Sequence, residues 1–198
     1  MTLWLEFLGG FAMSRNGARI SLSARKARML LGLLAAARRR TMPRQRLASL
    51  LWEASDGEQA RVSLRQSLSQ IRRAAGDGWV IPEGDELSLG PEVTTDLDAF
   101  HAALSRNDLA EAVRLYRGPF FDGADTGASD LGQALAAERA RLAGLACNAL
   151  ATELEPLKIL YYEDPLAPQS IEAVEYIARH IRIPIATGER FYNIFQFK

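Results

Sequence analysis

Ala60-Arg-Val-Ser-Leu-Arg-Gln-Ser-Leu-Ser-Gln-Ile-Arg-Arg73 carries the most informative pattern in the chain. With about 100° per residue and Arg61 at the origin, Arg72 falls at about 20°, Arg65 at about 40°, Ser69 at about 80°, Arg73 at about 120° and Gln66 at about 140°. Ala60, Leu64, Leu68, Ile71 and Ala75 fill the adjoining arc, from about −100° to about −20°. The spacing predicts a helix over 59–75 with one flank packed and the other presenting guanidinium and amide groups. Arginine can bind guanine edges or phosphates in bidentate fashion, and glutamine can bind adenine, so a helix divided in this way fits a DNA major groove. A merely soluble amphipathic helix would mix in acidic residues. Between Gln59 and Ala75 there are none.

The flanking segments supply the rest of a small domain. Leu3–Leu8, Phe11–Ser14 and Arg19–Leu22 read as three short antiparallel strands, the last two joined by Asn16-Gly17, a strong hairpin signal. Ser21 or Ser23 is expected to cap a helix from Ala24, whose Ala27, Leu30, Leu31 and Leu34 recur at helical spacing. Arg38-Arg39-Arg40 at its end suits the helix dipole. Pro43 is expected in the first turn of a second helix, 44–52, with Leu47, Leu50 and Leu51 inward. After the 59–75 helix, Gly76-Asp-Gly78 turns into a strand–turn–strand pair over 79–89. Three strands, three helices and a terminal hairpin predict a winged helix-turn-helix over residues 1–92. The hairpin near Glu83–Ser88 would be the wing, and its acidic tip argues against entry into a minor groove.

Charge separates the chain into unlike parts. The 24 basic and 24 acidic residues cancel in the sum, yet Arg15–Arg73 carries a net +11, while residues 93–152 carry −3 and 153–198 carry −2. Such asymmetry marks a polyanion-binding segment joined to a different module. Arg25, Lys26, Arg44, Arg46 and Arg73 are candidate phosphate contacts, and Arg61, Arg65, Gln66, Ser69 and Arg72 form the base- and groove-facing set. The longest apolar run, Met29–Ala37, is far short of the roughly 20 residues of a membrane span. Cys147 is the single cysteine, which excludes an internal disulfide and a cysteine-based zinc cluster, and His101 and His180 are isolated in sequence. These features predict a soluble cytoplasmic protein with no cofactor, no resident metal and no membrane partner.

Leu5-Glu-Phe-Leu-Gly-Gly-Phe-Ala12, Ser23-Ala-Arg-Lys-Ala-Arg-Met-Leu-Leu-Gly-Leu-Leu34, Arg46-Leu-Ala-Ser-Leu-Leu-Trp52 and the 60–73 stretch resemble the antibiotic-regulatory type of bacterial transcriptional activator. The resemblance continues through Thr95-Asp-Leu-Asp-Ala-Phe100 and Leu115-Tyr-Arg-Gly-Pro-Phe-Phe-Asp-Gly123 to Glu138-Arg-Ala-Arg-Leu142, covering about the first 150 residues. It implies a response-regulator-type winged helix followed by a bacterial transcriptional activator domain. It also implies binding to promoter direct repeats as two protomers side by side, with contact to RNA polymerase. In residues 93–152, helices are expected over 97–104, 108–116 and 130–151 as a truncated tetratricopeptide-like module. Tyr116, Phe120 and Phe121 are expected to be core residues rather than cofactor contacts.

After about Thr152 the pattern becomes strand, helix, strand: apolar Ile159-Leu-Tyr-Tyr162, a helix striped by Ile171, Val174, Ile177 and Ala178, and Ile183-Pro-Ile-Ala186. That order suits a parallel sheet, which a winged helix is not expected to use. Glu153–Pro165 and Ile183–Tyr192 resemble the enolase superfamily in its sugar-acid dehydratase branch. The resemblance implies a βαβ fragment of a (β/α)8 barrel and assigns vestigial Mg²⁺-ligand positions to Glu163 and Glu189. The third ligand, acid and base of that family have no counterpart in this segment, and one unit cannot close a barrel. Residues 153–198 are therefore expected to be non-functional, with no catalytic residue in the chain. A chimeric chain is predicted, its junction of two unrelated reading frames lying near residues 146–153, whether by rearrangement, fusion or sequence assembly. The fold expected is mainly α with small antiparallel β elements, in a sequence-specific double-stranded DNA-binding regulator. The alternatives are a protein-interaction module offering its basic face to an acidic partner, and a remnant of a Mg-dependent dehydratase.

Overall fold

The computed structural model describes residues 2–124, 127, 129–158, 162–163, 178–179 and 182–186, with residues 162–163 described by their backbone. Two compact units divide the chain: Met1–Ala99 with Gly118–Ala136, and Phe100–Arg117 with Ala137–Lys198. The described residues are mainly helical, with small sheets.

In the first unit, β1 (Leu3–Glu6) pairs antiparallel with β2 (Ala12–Arg15), which pairs with β3 (Ala18–Arg19). Asn16 and Gly17 both take positive φ (48° and 82°), as a two-residue hairpin turn of the right twist requires. On its other side β1 pairs in parallel with β7 (Val93–Thr95), Leu3 opposite Val93 and Leu5 opposite Thr95. The basic unit thus uses a parallel pair after all, against the expectation from sequence. Three residues carry too little periodicity to announce a strand, and the pairing spans some ninety positions. Leu3, Leu5 and Phe7 alternate inward and are fully buried.

Helix α1 (Arg25–Ala36) buries Ala27, Leu30, Leu31 and Leu34. Its N-cap is Ala24, and no side chain caps it, so the expected role of Ser21 or Ser23 is not realised. Gly32 lies against Phe121; a Cβ there would overlap the Phe121 ring. That ring belongs to an aromatic cluster with Phe7, Phe11 and Phe120, centroids 5.0–6.1 Å apart. Phe120 and Phe121 are core residues, as expected. Arg38–Arg40 form a single 3-10 turn with Arg39 and Arg40 left-handed, and Arg40 donates to the Val93 carbonyl (2.6 Å) beside Asp98 (3.7 Å). Arg40 therefore ties α1 to β7 rather than acting merely through a helix dipole.

Strand β4 (Thr41–Pro43) leads directly into α2 (Arg44–Leu51), with Pro43 at the N-cap, one position before the first turn where it was expected. Helix α3 (Gly57–Ala75) starts on Asp56, whose carboxylate accepts from the Gln59 N–H at 2.7 Å. Ala60, Leu64, Ser67, Ile71 and Ala75 are buried, and α3 packs on α1 and α2. At its C-terminus the Ala75 carbonyl accepts from Arg15 (2.9 Å) and from the buried Trp79 indole (2.6 Å). The hairpin β5 (Val80–Glu83) and β6 (Glu86–Leu89) follows, and β4 adds to β6 with Met42 opposite Leu87. Asp96 opens α4 (Asp96–Ser105). Its buried carboxylate accepts from the Phe7 N–H (2.9 Å) and the Leu8 N–H (2.8 Å).

In the second unit, Phe100 is fully buried with Tyr116 6.1 Å from it, and α5 (Leu109–Leu115) starts on Asp108. Helix α6 (Asp130–Leu154) begins in the first unit and runs on into the second. On it Arg141 makes a bidentate pair with Glu138 (2.7 and 2.9 Å). Desolvation pushes the Cys147 thiol up to about 11. Labelling by a thiol reagent at pH 8 is accordingly expected to run on the order of a hundredfold slower than for a free cysteine. A rate within threefold of free cysteine would contradict that burial. β8 (Tyr162–Glu163) pairs in parallel with β9 (Ile185–Ala186), Glu163 opposite Ala186. The helix expected over 171–178 lies almost wholly outside the described residues, and so does Glu189.

Candidate nucleic-acid interface

Helix α3 turns Arg61, Arg65, Gln66, Arg72 and Arg73 to solvent, with Ser69 half-buried. Three concave surfaces divide them. A groove between the start of α2, α3 and the hairpin tip is lined by Arg44, Gln45, Arg61, Arg65 and Asp85. A second, of about 290 Å³, lies between α3 and the hairpin and takes Arg44, Arg65, Ser69 and Arg72 with the hydrophobic wall of Trp79 and Leu87. A shallow third follows the outer face of α3, over Arg65, Gln66, Ser69, Gln70 and Arg73. Arg65 lines all three, which makes it the hub of the basic face.

The arginines are held by light contacts. Arg65 Nε donates to the Arg61 carbonyl and Arg73 to the Ser69 hydroxyl, both at a long 3.4 Å. Arg72 pairs with Asp77 at 2.6 Å, both side chains well exposed. An exposed pair of this kind is worth about 0–1 kcal/mol, so Arg72 exchanges Asp77 for another anion at little cost. Arg44 is half-buried, and its backbone N–H donates to the Asp85 carbonyl at 2.8 Å.

The other candidates are distributed differently. Arg25 and Lys26 line a separate cavity of about 430 Å³ with Leu50, Trp52, Glu53 and Leu131, beside the C-terminal end of α2. The structure thus does not bring them to the α3 grooves, whereas Arg44 stands in two of those grooves. Burial, and then the neighbouring Arg25 charge, holds the Lys26 amine below its ordinary range. Arg46 is exposed on α2 and lines none of these grooves. Sequence reasoning missed Gln70 and Gln45. Gln70 sits at about 180° on the same wheel and could have been found by widening the arc; Gln45 depends on how α2 meets α3, which has no local signal. Among the described residues no cluster of His, Cys, Asp and Glu could hold a metal ion, and no helix is long and apolar enough to cross a membrane.

Residues 101–198 match the family described as enolase C-terminal domain-like. That match starts well before residue 153, where the sequence pattern was expected to change. A 58-residue stretch is 36% identical to D-galactonate dehydratase of Ralstonia pickettii, covering 29% of this chain and 15% of that enzyme. Over 114 residues, 55% of the chain, it is 35% identical to an uncharacterized 47.3 kDa protein of Rhodococcus erythropolis, of which 23% is covered. The chain thus spans less than a quarter of either relative. Among solved structures, Mycobacterium tuberculosis EmbR, in complex with a low-affinity phosphopeptide, matches with a TM-score of 0.53 at 24% identity, covering 89% of this chain and 55% of that one. The likeness to EmbR is one of fold.

Proposed function

We propose that this chain is a sequence-specific, double-stranded DNA-binding transcription regulator. In this reading residues 1–92 are a winged helix-turn-helix, α3 enters the major groove and the 80–89 hairpin is the wing. One observation carries it: Arg65 stands at the meeting of three grooves also lined by Arg44, Arg61, Gln66, Ser69, Arg72 and Arg73, on a helix face without a carboxylate between 59 and 75. The net +11 of Arg15–Arg73 and the motif resemblance to antibiotic-regulatory activators support it. Residues 93–152 would be a truncated activator domain, and binding to direct repeats by two protomers, with RNA polymerase as a further partner, follows from the same resemblance. The chain is not proposed as an enzyme. Residues 153–198 would be an enolase-superfamily remnant in which Glu163 and Glu189 keep ligand positions without a reaction to serve. Residues 101–152, which the enolase-like match also spans, are here assigned to the helical module on the strength of their activator-like motifs.

Fluorescence anisotropy of the full chain on duplexes selected from a random pool, across a salt series, tests this reading. Neutralising about five phosphates gives log K against log[salt] a slope of about −4 to −5. Arg65→Ala is expected to cost about 1–3 kcal/mol on the selected duplex and to relax sequence preference. An equal loss on selected and scrambled duplexes would refute base reading by Arg65. If instead an acidic protein is the partner, scrambled DNA competes as well as the selected sequence. Mg²⁺ affinity together with turnover of a sugar acid would favour the dehydratase remnant.

A further inference from the structure

We propose that Asp85 determines specificity by turning DNA phosphates away from the groove lined by Arg44, Arg61 and Arg65. The proposal rests on the DNA-binding reading and adds a residue to it whose charge is the wrong sign for DNA. Asp85 sits in the tight turn of the hairpin and lines the same groove as those three arginines. Its backbone is anchored there, because its main-chain carbonyl accepts the Arg44 backbone N–H at 2.8 Å, which holds the tip against the start of α2. Charge at the tip is concentrated further: Glu83 and Glu86 are direct partners across the strand pair, a like-charge arrangement that disfavours the hairpin itself. All three carboxylate residues are exposed.

A phosphate drawn into the groove by the guanidinium groups therefore approaches the Asp85 carboxylate that lines the same groove, where solvent screens the repulsion only in part. A base edge carries no net charge and meets far less of that repulsion, and a cytosine amino group can even donate to a carboxylate. The tip thereby biases Arg44, Arg61 and Arg65 toward base edges and lowers affinity for DNA of arbitrary sequence, where phosphate attraction supplies nearly all the binding.

The test measures binding of the full chain to a duplex selected by the wild type and to its scrambled counterpart. Asp85→Asn is expected to tighten binding to the scrambled duplex about three- to tenfold, the scale of one unit charge near a phosphate in partly screened solvent. Binding to the selected duplex should tighten less, so the specificity ratio falls. The salt slope on scrambled DNA should steepen by about one. Asp85→Glu, which keeps the charge, should behave as wild type. Asp122→Asn removes an exposed carboxylate that does not line this groove, and should change either affinity less than about twofold. Equal effects of Asp85→Asn and Asp122→Asn would reduce the result to bulk charge and overturn the proposal. So would an unchanged specificity ratio for Asp85→Asn in a chain that still selects a duplex. If neither wild type nor any variant binds a duplex, the DNA-binding reading falls and this proposal falls with it.

Discussion

Asp96→Ala is expected to lower the unfolding free energy by about 3–5 kcal/mol. The carboxylate is 1% exposed and accepts two main-chain N–H groups, those of Phe7 and Leu8, which are themselves 0% and 1% exposed. Removing it strands both donors away from water, and each orphaned donor costs about 1–3 kcal/mol. The loss of a negative charge in the first turn of α4, where the helix dipole favours it, adds a smaller amount. Asp96→Asn keeps one acceptor oxygen and should cost less than the alanine variant. Urea unfolding followed by circular dichroism reads the difference. Since whole domains are stable by about 5–15 kcal/mol, the loss is a large share of the total, and the alanine variant should unfold at a clearly lower urea midpoint. A loss below about 1 kcal/mol would mean that water or a shifted neighbour satisfies the two amides.

Gly90→Ala is the second large effect, expected at about 3 kcal/mol or more. A Cβ at Gly90 would overlap the Gly78 carbonyl oxygen, a backbone atom that cannot swing aside as a side chain can. Both partners are anchored. The Gly90 N–H donates to the Trp79 carbonyl at 2.9 Å and its own carbonyl accepts from Val93, while the Trp79 indole is bonded to the end of α3. Relief therefore demands that the base of the hairpin move away from α3, which would open the groove that Arg44, Arg65 and Arg72 share. Gly84→Ala is the contrast. Gly84 has φ +59° but nothing within 4 Å of a Cβ, so that variant should lose only about 1–2 kcal/mol from the left-handed backbone. Equal losses for the two variants would show that the Gly78 contact is relieved by local adjustment.

Helix α3 shows how far residue spacing carries. Its buried set includes Ala60, Leu64, Ile71 and Ala75 of the predicted arc, and its arginines are exposed as the wheel requires. The hairpin at Asn16-Gly17 and the pair over 80–89 were equally readable, because turn chemistry acts within a few residues. Strands β4 and β7 were not. Each has three residues, and each exists because a distant strand offers it a ladder: β6 for Thr41–Pro43, β1 for Val93–Thr95. Capping divided in the same way. Asp56 and Asp108 cap by short-range contacts, while the serines ahead of α1 stay out of use because the chain enters that helix through Ala24. Within the candidate site, spacing placed Arg61, Arg65, Gln66 and Arg72 on one side of one helix. It gave no means of learning that Arg44 joins them, that Arg25 and Lys26 line another cavity, or that Asp77 holds Arg72.

Local order, then, belongs to the sequence: where α3 runs, which of its faces is apolar, where the hairpins turn and where positive charge accumulates all follow from neighbours within one or two turns of chain. The parallel β1–β7 pair, the burial of Asp96 and the meeting of Arg44 and Asp85 with the α3 arginines belong to the tertiary structure. These depend on strand register and helix packing between segments some twenty to ninety residues apart. The free energy of such contacts appears only once both partners are in place.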